Sequence, residues 1–147
     1  MSKIKRHKSI LTLINENIIE TQQELTDLLI KLGYKVTQAT ISRDIKELGL
    51  VKESYDGKTY YMQPLDPRLE KLVSIFKQSV TSIDYANNII VIKTIEGSAN
   101  SSAALIDYLD NSQILGTVAG DDTIIVVIKT EAEVVKVIDL LKKYMHS

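Results

Sequence analysis

Two stretches of this chain gather side chains whose types and spacing can do chemistry. One is Asp121-Asp122, set in a short Ala119-Gly120-Asp121-Asp122 turn between strongly apolar segments. Adjacent carboxylates repel, so they need compensation by a cation, a metal ion or solvent. Three readings stay open on local sequence. The turn can be simply solvated. It can bind a hard divalent cation, which prefers carboxylate oxygens, although no nearby His or Glu completes such a set. It can also take a guanidinium, whose forked donors form charge-assisted pairs with carboxylates.

The other stretch runs from Thr37 to Leu48. With Ile41 set at 0° on a helical wheel, Ile45 falls at about 40° and Leu48 at about −20°, so these three face a core. Gln38, Ser42, Lys46, Ala39 and Arg43 occupy the arc from about 60° to 200°, which carries no acid, and Asp44 and Glu47 are expected to project elsewhere. An acid-free arc suits close approach to phosphates and base edges. Arg43 can present its planar fork to the two guanine acceptors, and Gln38 can pair bidentately with adenine. Ser42 and Thr40 can donate to phosphate oxygens, while Lys46 supplies a point charge. A solvated face on a small helical domain is the alternative.

The elements needed to position these groups are legible. Ile10, Leu11, Leu13 and Ile14 recur at helical spacing. Thr21 and Glu24 form a capping-box pattern before a helix through Leu32, which Gly33 ends. Thr37 predicts the N-cap of a third helix, and Gly49 its end. Asp56-Gly57 between two strand-like runs is a hairpin signal, because the turn needs positive φ. Lys52 and Lys58 on that hairpin suit a wing touching the DNA backbone or minor groove, with Tyr60 and Tyr61 in packing roles. Both prolines lie in 64–67, which reads as a linker between residues 1–63 and 68–147. The second part reads as a helix from Arg68, strands, a helix to about Leu109 with Ala104, Leu105 and Tyr108 or Leu109 on its apolar side, two more strands, and a closing helix from Glu131. Elements without strict alternation suggest α+β with a mostly antiparallel sheet. Val126 to Ile128 implies a strand apolar on both faces, one covered by helices and the other free for a partner subunit.

Composition narrows the function class. With 44% hydrophobic and 25% charged residues, the 147-residue chain has the profile of a folded soluble protein. Its apolar runs are too short to span a bilayer, and its basic start lacks the apolar stretch of a signal peptide, so a cytoplasmic location is expected. The absence of cysteine excludes disulfides and thiolate metal sites. Net charge is −1, but residues 1–62 hold 10 Lys and Arg against 8 Asp and Glu, and the remainder 8 against 11. Lys3, Lys5, Arg6 and Lys8 cluster at the start, as a solubilising tail or as part of a basic footprint. No nucleophile–base set appears, since His7 and His146 sit at the termini, so an enzyme is not expected.

The Thr37-Gln-Ala-Thr-Ile-Ser-Arg-Asp-Ile-Lys-Glu-Leu48 string resembles the reading helix of the bacterial arginine repressors. Gly116-Thr-Val-Ala-Gly-Asp-Asp-Thr-Ile124 resembles their arginine-binding motif, and the two stand in the right order and separation. The resemblance covers essentially the whole chain. It implies a two-domain protein: an N-terminal winged helix-turn-helix of three helices and a hairpin, and a C-terminal α+β oligomerisation domain. It also implies L-arginine as corepressor, no metal, and a hexamer of two stacked trimers on palindromic operators in double-stranded DNA. By motif match Asp121 and Asp122 take the ligand's charged groups, Ala119 lies beside them, and Asp107 matches an acidic contact. Asn100 stands where the family commonly has Gln, and Glu96 replaces a usual proline. Some members assist recombination, so an architectural DNA-binding accessory factor is the alternative.

Overall fold

The computed structural model describes residues 2–145, so His146 lies outside the described residues. The chain divides into two compact units, one ending at Pro64 and the other beginning at Leu65.

The first unit is three helices and a hairpin: α1 (Lys3–Glu16), α2 (Gln22–Lys31), α3 (Gln38–Glu47), β1 (Val51–Tyr55) and β2 (Lys58–Met62). Each boundary has a local cause. Thr21 caps α2 by accepting from the Glu24 N–H at 3.1 Å. Glu24 returns the favour one residue earlier than the simple box, accepting from Glu20 N–H at 3.2 Å. Thr37 caps α3 by accepting from Thr40 N–H. Helices α2 and α3 both end in the six-residue left-handed turn, with Tyr34 N–H bonded to Leu29 O and Leu50 N–H to Ile45 O. Gly33 (φ 95°) and Gly49 (φ 66°) supply the positive φ this needs. Asp56 and Gly57 both have positive φ, as a two-residue hairpin turn requires. Ile10, Ile14, Ile19, Leu25, Leu29, Ile41 and Ile45 pack with Tyr34 and Tyr61 into one core.

Asp44 lies off the exposed arc, as expected, but the sequence reading did not foresee where it goes: it is buried, its side chain only 3% exposed. Arg6 on α1 grips it with two bonds, Nε to Oδ2 at 2.6 Å and Nη2 to Oδ1 at 2.9 Å. His7 Nε2 lies 2.9 Å from Oδ1, and Lys3 pairs with Glu47 at 2.7 Å. Two of the four basic residues at the start thus meet acids of α3, Arg6 in the interior and Lys3 at the surface. Burial alone pushes the Asp44 carboxyl up, but the donors of Arg6 and His7 outweigh it and hold it below the usual carboxylate range.

The second unit is α4 (Pro67–Ser79), β3 (Val80–Ala86), β4 (Ile89–Thr94), α5 (Ala99–Leu109), β5 (Ile114–Ala119), β6 (Thr123–Ile128), a single 3-10 turn at Glu131–Glu133, and α6 (Val134–Met145). Pro67, read from sequence as connector, is the first helical residue, where its missing N–H costs nothing, and Asp66 caps Leu69 N–H at 2.7 Å. The four strands form one antiparallel sheet in the order β3-β4-β6-β5. Both α5 and α6 lie on β4, and α4 packs against the two helices. On the covered face Ile90, Ile92, Ile124, Val126 and Ile128 are fully buried, each contributing about 2 kcal/mol.

The opposite face is open and apolar. The register puts Ile89, Val91, Val118, Ile125 and Val127 on it, and Val118 and the neighbouring Leu115 are 70% and 65% exposed. The apolar side of α5 also differs from expectation. Ala99, Ser102, Ala103, Leu105 and Ile106 are buried, Ala104 is half-buried, and Tyr108 is exposed, donating to Asp66 at 3.1 Å while Arg68 lies over its ring.

Two measurements check these placements. Arg6→Ala leaves a buried carboxylate without its main donor and is expected to cost the N-terminal unit about 3 kcal/mol in urea melts at neutral pH. The loss shrinks in acid, where Asp44 is protonated with or without Arg6; a constant loss across pH shows that the ion pair is not its source. In α6, burial pushes Lys143 down to about 8 and Tyr144 up to about 12. Above pH 8 the unfolded chain holds more protons at Lys143 than the folded one, so stability rises with pH until the unfolded tyrosine ionises near about 10. Lys143→Met is expected to abolish that rise in thermal melts from pH 7 to pH 10.

Candidate functional site

The acid-free arc of α3 is assembled as the wheel requires. Ile41 and Ile45 are buried and Leu48 packs half-buried against the same core. Gln38, Ala39, Arg43 and Lys46 are exposed, and Ser42 and Thr40 are half-buried. Glu47 is engaged by Lys3 and Asp44 by Arg6. The two acids of the helix are therefore neutralised on its α1-facing side, and the exposed arc keeps only neutral polar and basic groups. Such a face can approach phosphate oxygens without like-charge repulsion.

The hairpin brings its two lysines to different environments. Lys52 is cross-strand to Tyr61, and its ammonium lies 4.9 Å above that ring. Lys58 is exposed, beside the Asp56-Gly57 tip. Tyr60 and Tyr61 are both buried. Sequence reasoning missed two things in this unit. One is the α1–α3 clamp, although the same wheel places Asp44 at about −60°, beside Leu48 on the core side. The other is Gln23 on α2, whose amide oxygen accepts from Gln38 Nε2; nothing in local spacing links residues 15 apart.

In the second unit the Asp121-Asp122 turn is pinned through its backbone. Thr94 N–H donates to Asp122 O at 2.8 Å, and Ala99 N–H to Asp121 O at 3.0 Å. Gly97 N–H approaches Asp121 Oδ2 at 3.3 Å, and Thr123 Oγ1 donates to Asp122 Oδ1 at 2.9 Å. Both side chains are exposed, and among the described residues neither is in an ion pair. The turn therefore presents two adjacent negative charges on a rigid backbone, with unused lone pairs.

The other residues picked out from sequence distribute along α5. Asn100 is exposed in its first turn, next to Ala99, which holds Asp121. Asp107 is two turns further, about 10 Å along the axis. There it accepts from Thr117 Oγ1 at 2.9 Å and borders a cleft of about 170 Å³ with Asp110, Asn111, Leu115 and Gly116. Ala119 is half-buried at the end of β5. Within one chain Asn100 directly follows the residue that bonds Asp121, and Asp107 stands apart. No His/Asp/Glu cluster with metal-ligand spacing forms at this turn among the described residues. One does gather in the first unit, from His7, Asp44 and Glu47, but Arg6 already occupies Asp44. No described helix is long and apolar enough to cross a membrane.

Comparison with known proteins agrees with this division. Residues 1–67 match the family model described as arginine repressor, DNA binding domain, and residues 76–143 match that for arginine repressor, C-terminal domain. The chain is 51% identical to a protein named arginine repressor from Alkaliphilus oremlandii, over 97% of this chain and 99% of that one. Proteins of the same name from Thermoanaerobacter sp. and Clostridium acetobutylicum are 47% and 45% identical, each over at least 96% of both chains.

On the sequence-based expectation that α3 reads DNA, Arg43→Ala is expected to weaken binding to a specific duplex by about 1–3 kcal/mol and relax choice at one base pair. Titration of labelled duplexes at fixed salt checks it; an equal loss on every sequence assigns Arg43 to phosphate instead.

Proposed function

The chain belongs to the arginine repressor family, and from that premise we propose that it is a cytoplasmic, L-arginine-dependent repressor of arginine metabolism genes. It binds palindromic operators as a hexamer of two stacked trimers and performs no catalysis. Residues 1–63 read DNA through Gln38, Thr40, Ser42, Arg43 and Lys46, with Lys52 and Lys58 on the wing. Residues 68–147 bind arginine and assemble, and 64–67 join the two. Asp121 and Asp122 take the cationic groups of the ligand, with Asn100, Asp107 and Ala119 around them.

The observation that carries this reading is the uncompensated Asp pair on a rigid turn, in the same chain as an acid-free exposed helix face. A guanidinium supplies the missing positive charge with forked geometry. The open apolar sheet face favours a second copy as its cover, since exposed patches of this kind mark interaction surfaces. Asp107 and the Asp pair lie at opposite ends of α5, so a junction between subunits is what brings both to one ligand. A ligand bound there contributes contacts only in the assembled state, and so shifts the population toward it. Several modestly basic readers then act together through effective concentration.

The test is operator binding and sedimentation with L-arginine, beside lysine and citrulline controls. Arginine alone is expected to tighten binding and shift assembly toward the hexamer. Asp122→Asn is expected to keep the fold and basal DNA binding while blunting that response; an undiminished response removes the ligand role. Equally tight binding without arginine favours the architectural reading, in which the amino acid is incidental.

A further inference from the structure

Asp27 and Gln23 are not accounted for by the reading above. Both are exposed on α2, one turn apart, and Gln23 Nε2 donates to Asp27 Oδ1 at 2.7 Å. Gln23 Oε1 in turn accepts from Gln38 Nε2, and Gln38 is the first residue of α3. The result is a relay of three side chains running from α2 to the end of α3 that a reading helix turns toward base edges. An exposed carboxylate beside a nucleic-acid-binding face repels phosphate, so its presence there calls for a function.

The order of donors and acceptors in this relay is dictated by chemistry. A carboxylate has no proton to give, so Asp27 can only accept. The Gln23 amide must therefore turn its NH₂ to Asp27 and its oxygen to Gln38. An oxygen can only accept, so Gln38 must turn its NH₂ inward to meet it. What Gln38 then has left is its whole oxygen and its second N–H. One acceptor beside one donor complements adenine, which offers the N6 donor and the N7 acceptor in the major groove. Guanine offers two acceptors, N7 and O6, and one of them would face the glutamine oxygen.

We infer that Asp27 and Gln23 are positioning residues that fix which way round the Gln38 amide faces the groove, and so make it select adenine over guanine. This rests on the reading of α3 as the DNA-reading helix and adds to it the source of selectivity at one base. It also reduces the freedom Gln38 loses on binding, because its amide is already held.

The relay makes a prediction that simple structural support does not. Asp27→Asn offers either a donor or an acceptor to Gln23, so the relay can run in both directions. Gln23→Lys offers only donors, which forces the Gln38 oxygen inward and leaves its NH₂ facing the groove, matched to the two guanine acceptors. The full-length protein and these variants are used, with L-arginine present, to select duplexes from a random-sequence pool, and the preference at each position is read by competition binding. The native chain is expected to prefer adenine over guanine by about tenfold at the Gln38 position. Asp27→Asn is expected to reduce that ratio severalfold at this position alone, and Gln23→Lys to reverse it toward guanine. Gln38→Ala identifies the position. If it erases a preference that both Asp27→Asn and Gln23→Lys leave intact, the relay is overturned and the reading helix stands. If Gln38→Ala changes no preference anywhere, Gln38 is not a base reader and the proposal falls with that assignment.

Discussion

A carboxylate taken into the protein by one arginine organises the N-terminal unit. Helix α3 carries two acids, and an acid on its outward arc would repel phosphates, which the proposed reading role requires that arc to approach. Asp44 is instead buried and gripped by Arg6 and His7, and Glu47 is engaged by Lys3. The same contacts fix α3 against α1, so one ion-pair cluster both clears the exposed arc of acid and sets its orientation. Buried pairs of this kind add little net stability over an apolar substitute, while losing one partner is costly. Their value here is geometric: the Arg6 and His7 contacts join α1 to α3 at Asp44.

The C-terminal unit inverts that solution. Two neighbouring acids are held in the open, on a turn fixed by Thr94, Gly97 and Ala99, with no ion-pair partner among the described residues. A flexible turn would let the carboxylates swing apart into solvent; this one cannot move its backbone without breaking bonds to β4 and to the start of α5. The negative charge of the pair is thus presented from a fixed backbone, the feature on which the proposed ligand role rests. The open sheet face beside it has the same incomplete character, with apolar side chains at Leu115 and Val118 that one copy leaves in water.

Much of this was legible before any coordinates. Caps at Thr21 and Thr37, left-handed glycines at positions 33 and 49, and the Asp56-Gly57 turn are local devices, readable because their partners lie within a few residues. The apolar wheels of α3 and α6 follow from a simple period, and the Asp pair is visible as two letters, whereas β6 is apolar on both faces and only its burial alternates. Less legible was α5, where Ser102 goes inside and Tyr108 stays out to bond Asp66, because a short helix rich in small residues has no single sharp apolar stripe.

From the amino-acid order alone came the elements, their succession and the α+β character of the second unit. Each of these depends on interactions within a turn or a strand period. Only the folded chain settled that Arg6 pairs with Asp44, that Gln38 is tied to Gln23, and that Asp107 stands two turns along α5 from the end that holds Asp121. Those pairings join residues far apart in the chain, and the energy of a charge or an amide depends on which partner folding brings within about 3 Å, a distance that no local pattern encodes.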